Sequence, residues 1–390
     1  DMVINTRRFE PAARIDASPL VFVGHGIVAP ELGWDDYAGL DMRGKTALIL
    51  VNEPGFSAGD PSLFRGRALT YYGRWTYKFE EAMRQGATAA LIVHQAGPAS
   101  YGWETVRSGW TGPQFWPDAP DGNAGGLAIE GWITEARARE LLALAGADLD
   151  ALQREAATPG FRARPLDLRV TAGVRNLIRR ASSPNVAGYL PGGARRDEYV
   201  VYMAHWDHLG RAVGRAGDAI FNGAVDNASG IAGLLAIAGA YRELAATPAR
   251  SVLFIAVTAE EAGAIGSEHY ARRPLVPLAK TAAVINIDSL FPIGRARDIE
   301  VIGSGLSDLE LLLAAAARRQ GRELRPDSEP EQGYFYRSDH FSLAREGVPA
   351  LFTRSGADLR DGPPGAGAAW VAEYYASRYH APGDEYDPAW

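Results

Sequence analysis

Hydrophobic and polar positions change their pattern near residue 165 of this 390-residue chain. Before that point, turn-rich stretches with many Trp, Tyr, Gly and Pro residues alternate with apolar segments typical of β-strands, at residues 20–28, 46–51 and 88–94. Helices are predicted over residues 77–84 and 134–144. The segment 157–167, which contains Pro and Arg residues, is the expected connection between the two halves.

The second half repeats a strand-then-helix pattern. Apolar runs predict strands at residues 199–204, 251–258, 281–287 and 350–353, and helices at residues 228–244 and 307–319. This alternation predicts an α/β fold with a mostly parallel, doubly wound sheet and helices on both faces, plus a smaller β-rich domain in the first half. Open α/β sheets bind ligands at the carboxyl ends of their strands, so we expect the chemistry there.

Composition and charge restrict the chemistry. The formal net charge is -7 and nearly all basic residues are Arg, so no basic surface for a nucleic-acid partner is expected. No apolar run reaches the roughly 18 to 20 residues needed to cross a bilayer, and no membrane span is expected. The chain has no Cys, which excludes thiolate ligands and a Cys nucleophile. A bound transition metal would therefore be held by His and carboxylate side chains.

Several His, Asp and Glu residues fall at the end of a predicted strand, at the start of a predicted helix or near the C-terminus. They are His205, Asp207, Asp226, Glu260, Glu261, Asp288, His380 and Asp384. A His at a strand end can offer one ring nitrogen to a metal, while an Asp two residues later accepts the other ring N–H. Two His and three carboxylates can build two zinc sites if one carboxylate bridges the ions, and of two adjacent Glu residues one can bind metal while the other handles protons.

Each of these residues also has an ordinary structural interpretation. An Asp before Asn, as at Asp226, is usually a helix cap or turn residue, adjacent Glu residues usually form a solvated face, and a single His is more often structural than a ligand. Together, ligand types at successive strand ends favour a metal site. His25, His94 and His269 lack such neighbours and are interpreted as structural.

The motifs resemble those of the co-catalytic di-zinc aminopeptidases, relatives of glutamate carboxypeptidase and of the transferrin receptor ectodomain. The resemblance spans about residues 175–390 and is carried, in order, by AHWDHLG (204–210), GAVDNASG (223–230), TAEE (258–261), NID (286–288), SDH (338–340) and YH (379–380). It implies two Zn²⁺ ions, one bound by His205 and Asp288, the other by Glu261 and His380, with Asp226 bridging both. It further implies that Glu260 is the general base, that Asp207 orients His205 and that His340 shapes the site without binding metal.

The first half resembles a protease-associated domain through residues 22–30 and 35–41. The expected organisation is therefore an N-terminal stub of the peptidase domain at 1–17, a protease-associated domain at 18–165 and a zinc peptidase domain at 166–390. Family members with such a domain normally carry a longer N-terminal segment of the peptidase fold before it. We therefore expect either that this segment was removed or that another part of the protein replaces its packing. The aromatic loop 101–116 either lines the substrate entrance or is a solvated loop.

A zinc-dependent exopeptidase acting on peptides or small proteins is the expected function, and an aminopeptidase is the leading form of it because a zinc-bound amine can anchor a free N-terminus. The alternatives are a carboxypeptidase of the same family and a receptor-like ectodomain without activity. A carboxypeptidase would grip the terminal carboxylate with a basic side chain, for which the candidates are Arg211, Arg215 and Arg337.

Three further properties are open from the sequence. Tyr334 or Tyr336 is a candidate donor to the tetrahedral intermediate, but Phe335, in the closest register, cannot donate a hydrogen bond. The resemblance implies a secreted or periplasmic protein. The oligomeric state cannot be derived from the sequence.

Overall fold

The computed structural model describes residues 1–212, 214 and 216–390. Internal contacts divide the chain into two units, the first comprising Asp1–Ala181 and Glu329–Tyr336, the second Ser182–Ser328 and Arg337–Trp390. The expected limits at 17/18 and 165/166 differ from this division, because each falls inside a strand of the first unit and those two strands pair with each other. Residues 1–17 lie in the first unit of this division, and the assignment of domains stays a prediction.

The first unit contains a sheet whose described strands run in the order β1-β7-β6-β5-β2-β8. Its central strands are parallel and both edge strands are antiparallel. The strands, including a separate small β3–β4 pair, are β1 (Met2–Asn5), β2 (Ala12–Phe22), β3 (Val28–Ala29), β4 (Trp34–Asp35), β5 (Thr46–Leu50), β6 (Ala89–His94), β7 (Ile129–Thr134) and β8 (Arg164–Arg175).

Burial along these strands follows their position in the sheet. Every residue of β5 and β6 is buried, as expected for apolar strands covered on both faces. β8 alternates between exposed and partly buried residues, which is typical of an edge strand with one solvated face. That alternation lacks an apolar run, so the sequence pattern did not predict β8.

The described helices of the first unit lie mainly between the sheet strands. They are α1 (Pro54–Ala58), α2 (Trp75–Arg84), α3 (Ala96–Ala99), α4 (Trp103–Gly109), α5 (Glu135–Leu144) and α6 (Leu149–Ala156). Thr134 and Asp148 cap α5 and α6, because each side chain accepts a hydrogen bond from a backbone N–H of the first turn. The predicted helices 77–84 and 134–144 correspond to α2 and α5.

Residues Glu329–Tyr336 pack with the first unit although they follow much of the second in sequence. Gly333 has a φ of 61° and lies against Leu69, so that a Cβ at this position would come 2.3 Å from Leu69 Cδ2. This close packing explains why a residue without a side chain stands there. The catalytic role expected for Tyr334 or Tyr336, as hydrogen-bond donor to the tetrahedral intermediate, stays a prediction.

The second unit contains a mostly parallel sheet, as predicted, whose described strands run in the order β16-β15-β17-β14-β10-β13-β9. The central strands β17, β14, β10 and β13 are mutually parallel, whereas β9 joins β13 and β15 joins β17 in antiparallel pairs. The strands, with the separate β11–β12 pair, are β9 (Val186–Leu190), β10 (Arg195–His205), β11 (Gly210–Arg211), β12 (Ile220–Phe221), β13 (Arg250–Val257), β14 (Thr281–Asn286), β15 (Asp298–Ile302), β16 (Glu323–Pro326) and β17 (Ala350–Ser355).

Both faces of the central strand β10 are buried. Ala204 packs with Leu234, which lies in the helix that follows β10. Val201 and Met203, whose side chains point to the opposite face of the strand, are also fully buried. The described helices are α7 (Ser229–Arg242), α8 (Ile265–Arg272), α9 (Leu309–Arg319), α10 (His340–Ala344) and α11 (Ala366–Ser377). Across the described part of the chain, no helix has the length and apolar composition needed to cross a membrane.

Candidate metal centre

Three of the candidate ligands, His205, Glu261 and Asp288, lie where neighbouring parallel strands end. His205 is the last residue of β10 and pairs in register with Val257, the last residue of β13. Glu260 and Glu261 follow β13, and Asp288 follows β14, which pairs with the other side of β10. Parallel strands end at a common edge, so the fold brings side chains that are distant in sequence to one place.

His205 and two carboxylates form the first cluster. Its Nε2 lies 3.2 Å from Oδ1 of Asp226 and 3.5 Å from Oδ1 of Asp288, in a place where the His205 side chain is only 1% exposed. The other oxygen of Asp288 accepts a hydrogen bond from Ser338 Oγ at 2.6 Å. Ser338 is part of the SDH motif, and its hydroxyl fixes Asp288 so that Oδ1 faces His205.

His380 forms the second cluster with the other oxygen of Asp226. His380 Nε2 lies 3.3 Å from Asp226 Oδ2 and 3.2 Å from Glu261 Oε2. Asp226 therefore offers one carboxylate oxygen to each cluster, which is the arrangement of a bridging ligand. The His380 side chain is 38% exposed, so this side of the centre is open to solvent.

Asp384 holds the loop that carries Asp226. Its carboxylate accepts hydrogen bonds from the backbone N–H groups of Val225 at 2.9 Å and of Asp226 at 3.0 Å, and from the Tyr374 hydroxyl at 3.2 Å. Asp384 is 1% exposed. Asp384 thus acts on the backbone of the shared carboxylate, which lies in a short π-helix (Ala224–Ala228) before α7.

Asp207 has a contact that differs from the expected one. The backbone carbonyl of Asp207, not its carboxylate, lies 3.1 Å from His205 Nδ1, while the nearest carboxylate oxygen is 3.8 Å from that nitrogen. The carboxylate accepts hydrogen bonds from the backbone N–H groups of Glu260 and Glu261 at 3.1 and 3.4 Å. The side chain therefore fixes the turn that carries the two glutamates, and a main-chain atom orients the imidazole.

Charge interactions within the centre shift several pKa values. Burial opposes ionisation of Glu261 and Asp288, but their His neighbours outweigh it and lower both pKa values to about 2. Burial lowers the pKa of His380, and its contacts with Asp226 and Glu261 outweigh this and raise it to about 10. Burial raises the pKa of Glu260 well above its usual range, an effect that the His205 charge opposes and nearby carboxylates reinforce. The centre concentrates negative charge that cations would neutralise.

The donor set fits zinc. Two ligands on a tetrahedral zinc ion with bonds of about 2.0 to 2.1 Å lie about 3.3 Å apart, and the His–carboxylate separations in the two clusters are 3.2, 3.5, 3.3 and 3.2 Å. His205 Nε2 is buried and has no hydrogen-bond partner among the described residues, although it faces two carboxylates. An imidazole nitrogen in that position is suited to bind a cation.

The structure adds His208, which the sequence patterns did not single out. His208, Asp226 and Glu261 form a second possible combination of metal-binding atoms beside His205, Asp226 and Asp288. The sequence signal for His208 was its position three residues after His205. The role of a side chain in that loop depends on the path of the backbone, which the spacing alone does not specify.

The other candidates lie outside these clusters. His25 and His94 hydrogen-bond to backbone carbonyls in the first unit, in line with a structural interpretation. His340 is fully buried against Phe352. Of the arginines considered for carboxylate binding, Arg211 is exposed on β11 and Arg215 lies outside the described residues.

The chain belongs to peptidase family M28, because the model of that family matches residues 185–389, a little more than half of the chain. The match contains every candidate ligand of the two clusters. The first half lies outside this match.

Individual relatives match over shorter regions. Aminopeptidase NAALADL1 of Mus musculus is 34% identical over 138 residues, and its Rattus norvegicus counterpart is 33% identical over 138 residues; each match covers 33% of this chain and 17% of the relative. The chain thus spans a small part of the length of these relatives. Among solved structures, an aminopeptidase from Aneurinibacillus sp. strain AM-1 is similar with 21% identity and a TM-score of 0.45, covering 98% of this chain and 74% of that one. A zinc aminopeptidase from Bacillus subtilis, BSAP, has 18% identity and a TM-score of 0.38, covering 99% and 73%.

Proposed function

We propose that this chain is a zinc-dependent aminopeptidase that binds two Zn²⁺ ions. His205, Asp226 and Asp288 would hold one ion, and Asp226, Glu261 and His380 the other. The observation that carries the proposal is the position of Asp226, whose two carboxylate oxygens face separate imidazoles at 3.2 and 3.3 Å. Membership of a peptidase family agrees with hydrolysis as the reaction.

Glu260 would be the general base. It is the sequence neighbour of Glu261, and the Asp207 carboxylate holds the backbone N–H groups of both residues. Zinc ions in the two clusters would lower the pKa of water and polarise the substrate carbonyl. Glu260 then accepts the proton of the attacking water on its carboxylate and returns it to the amine nitrogen that leaves.

Residues 18–165, which lie in the first unit, would form a protease-associated domain. This assignment is supported by the motif resemblance of residues 22–30 and 35–41 and by the separate sheet that contains the strands of this region. A secreted or periplasmic location remains a prediction from the family resemblance.

Peptides blocked at one end test the polarity of cleavage. The protein would be stripped with a chelator, reloaded with zinc and given the same peptide in free, N-acetylated and C-amidated form. We expect hydrolysis of the free and amidated peptides only, loss of activity without metal and full recovery near two zinc ions per chain. Cleavage of the acetylated but not the amidated peptide would identify a carboxypeptidase. A zinc-loaded protein that cleaves none of them would have the properties of a binding ectodomain.

A further inference from the structure

Asn185 immediately precedes β9 and is half-buried beside the end of β13. Its side-chain N–H donates a hydrogen bond to the carbonyl of Gly266 at 2.8 Å, and its amide oxygen accepts one from the N–H of Thr258 at 3.0 Å. We propose that Asn185 is a positioning residue, whose amide closes the loop 258–266 at its base and so fixes the glutamates that this loop carries. This inference rests on the proposed function, because those two glutamates are the proposed general base and a proposed metal ligand.

The Asn185 side chain takes the place of a further strand partner for β13. The last register pair of β9 and β13 is Val186 with Ala256, two residues before Thr258. Thr258 is only 8% exposed, and a buried backbone N–H needs a hydrogen-bond partner. The Asn185 amide supplies that partner and joins it to Gly266, in the first turn of α8. It therefore connects the residue where the loop leaves the sheet to the helix where the loop ends.

The two ends of the loop approach each other closely. The N–H of Gly266 donates to the Thr258 carbonyl at 2.9 Å. A Cβ at Gly266 would lie 2.2 Å from that carbonyl oxygen and 2.7 Å from Asn185 Oδ1, so a residue without a side chain is needed for one amide to reach both ends. The hydroxyl of Ser183 lies 2.6 Å from that of Thr258, which gives the segment before β9 a second contact with the base of the loop.

The backbone inside the loop depends on such contacts for its shape. Ala259 and Ala264, on either side of the two glutamates, have φ values of 56° and 57°, in the left-handed region that is unfavourable for a residue with a Cβ. Such conformations persist where surrounding contacts fix them. The Asp207 carboxylate holds the N–H groups of the glutamates themselves, and Asn185 holds the ends of the loop. A shift at the base would therefore move the glutamate carboxylates.

Steady-state kinetics of the zinc-loaded protein test this role. Asn185→Leu removes both hydrogen bonds at similar size, and Asn185→Asp keeps the shape but presents an acceptor to the Gly266 carbonyl. Asn176→Leu is the matched control, because Asn176 is also half-buried and donates to a backbone carbonyl, that of Glu10, in the first unit. At equal zinc content, we expect both Asn185 variants to lower kcat on a free peptide roughly 10- to 100-fold with little change in KM, because a small misplacement of catalytic groups is sufficient for such a loss. We expect Asn176→Leu to match the native protein.

The outcomes separate positioning from a purely structural role and from the proposed function. Circular dichroism and urea unfolding show which variants are folded, and Asn185→Asp decides if Asn185→Leu does not fold. Native kcat with a reduced free energy of unfolding would show a structural role only and overturn the inference, as would a change confined to KM, and both results leave the proposed function intact. A native zinc-loaded protein that hydrolyses no peptide would overturn the proposed function and this inference together.

Discussion

The carboxylate of Asp207 accepts a hydrogen bond from the backbone N–H of Glu260, at 3.1 Å between Oδ1 and N. The same carboxylate accepts a second, longer one from the N–H of Glu261. One side chain from the loop after β10 thereby fixes the turn after β13. That turn carries both the proposed base and a proposed ligand, so the geometry of the site depends on Asp207.

Replacement of Asp207 by Asn should lower turnover with little loss of bound zinc. The amide has one acceptor oxygen and would present N–H groups to a backbone N–H, so the turn loses one of its two hydrogen bonds. We expect a decrease in kcat of roughly 10- to 100-fold, as is typical for partners of site residues. Asp218→Asn is the control, because Asp218 also accepts a backbone N–H but in an exposed turn. Equal kcat in the two variants would show that the Asp207 contact has no effect on the site.

Glu260→Gln should retain zinc and lose catalysis. The amide has the size of the acid but cannot accept a proton from water, so the contribution of general base catalysis, about 10²- to 10⁴-fold, would be lost from kcat. Metal content by mass spectrometry and kcat on a free peptide are the measurements. Glu268→Gln, on the exposed side of α8, is the control. Hydrolysis at the native rate by Glu260→Gln would assign the base to another residue.

Gly230 is a position where a single methyl group should disturb the centre. A Cβ there would lie 2.2 Å from Asn227 Oδ1 and 2.5 Å from the Ile287 carbonyl. The Asn227 amide donates to that carbonyl at 3.0 Å, and its oxygen accepts the N–H of Ser289 at 3.1 Å. Asn227 thus joins the loop of Asp226 to the loop of Asp288, and Gly230→Ala would push these loops apart.

The expected effect of Gly230→Ala is a decrease of about 1 to 3 kcal/mol in the free energy of unfolding, together with weaker zinc binding. Gly239 lies in the same helix and a Cβ there meets nothing within 4 Å. Gly239→Ala should therefore stabilise the protein by about 0.4 to 1 kcal/mol. Urea unfolding of both variants tests this difference, and destabilisation of equal size at both positions would point to the helix rather than to the Asn227 contacts.

Strand ends were predictable because they combine two signals. The apolar run of β13 predicted a buried strand, and the polar residues that follow predicted the edge where ligands meet, which is how Glu261 and Asp288 were found before the fold was known. The central strands are parallel, as the structure confirms. Their carboxyl ends therefore meet at one edge of the sheet even where the strands are far apart in sequence. Asp226 and His380 do not follow sheet strands, and only the family resemblance grouped them with the ligands at the strand ends.

Contacts that depend on loop paths were not predictable. Asp207 had the expected spacing from His205, but its carboxylate turns toward the backbone of the two glutamates because that loop presents free N–H groups. The position of the His208 ring depends on the loop at Gly223, where a Cβ would lie 2.6 Å from His208 Cγ. Strand β8 was not predictable for a similar reason, because it is recognisable only from its pairing with β2, which is distant in sequence.

Buried His25 in the first unit should make stability depend on pH. Burial and the nearby Lys78 charge lower the pKa of His25 to about 3, while its contact with the Asn52 carbonyl at 3.1 Å acts in the opposite direction. The folded-state pKa is below the ordinary value of 6.5, so between these values the unfolded chain binds a proton that the folded chain does not. The contribution of His25 to stability is therefore complete above pH 6.5 and decreases as the pH falls toward 3.

His25→Asn isolates this contribution, because an Asn amide can still donate to the Asn52 carbonyl but does not titrate. Asp36 and Glu53, whose pKa values burial raises to about 7, also titrate nearby, but they are present in both proteins. Below pH 6.5 the native protein should lose stability relative to the variant by about 1.4 kcal/mol per pH unit. Urea unfolding at pH 7.5, 6.5, 5.5 and 4.5 measures the difference. A difference between the two proteins that stays constant across this range would mean that His25 binds its proton equally in the folded and unfolded chains.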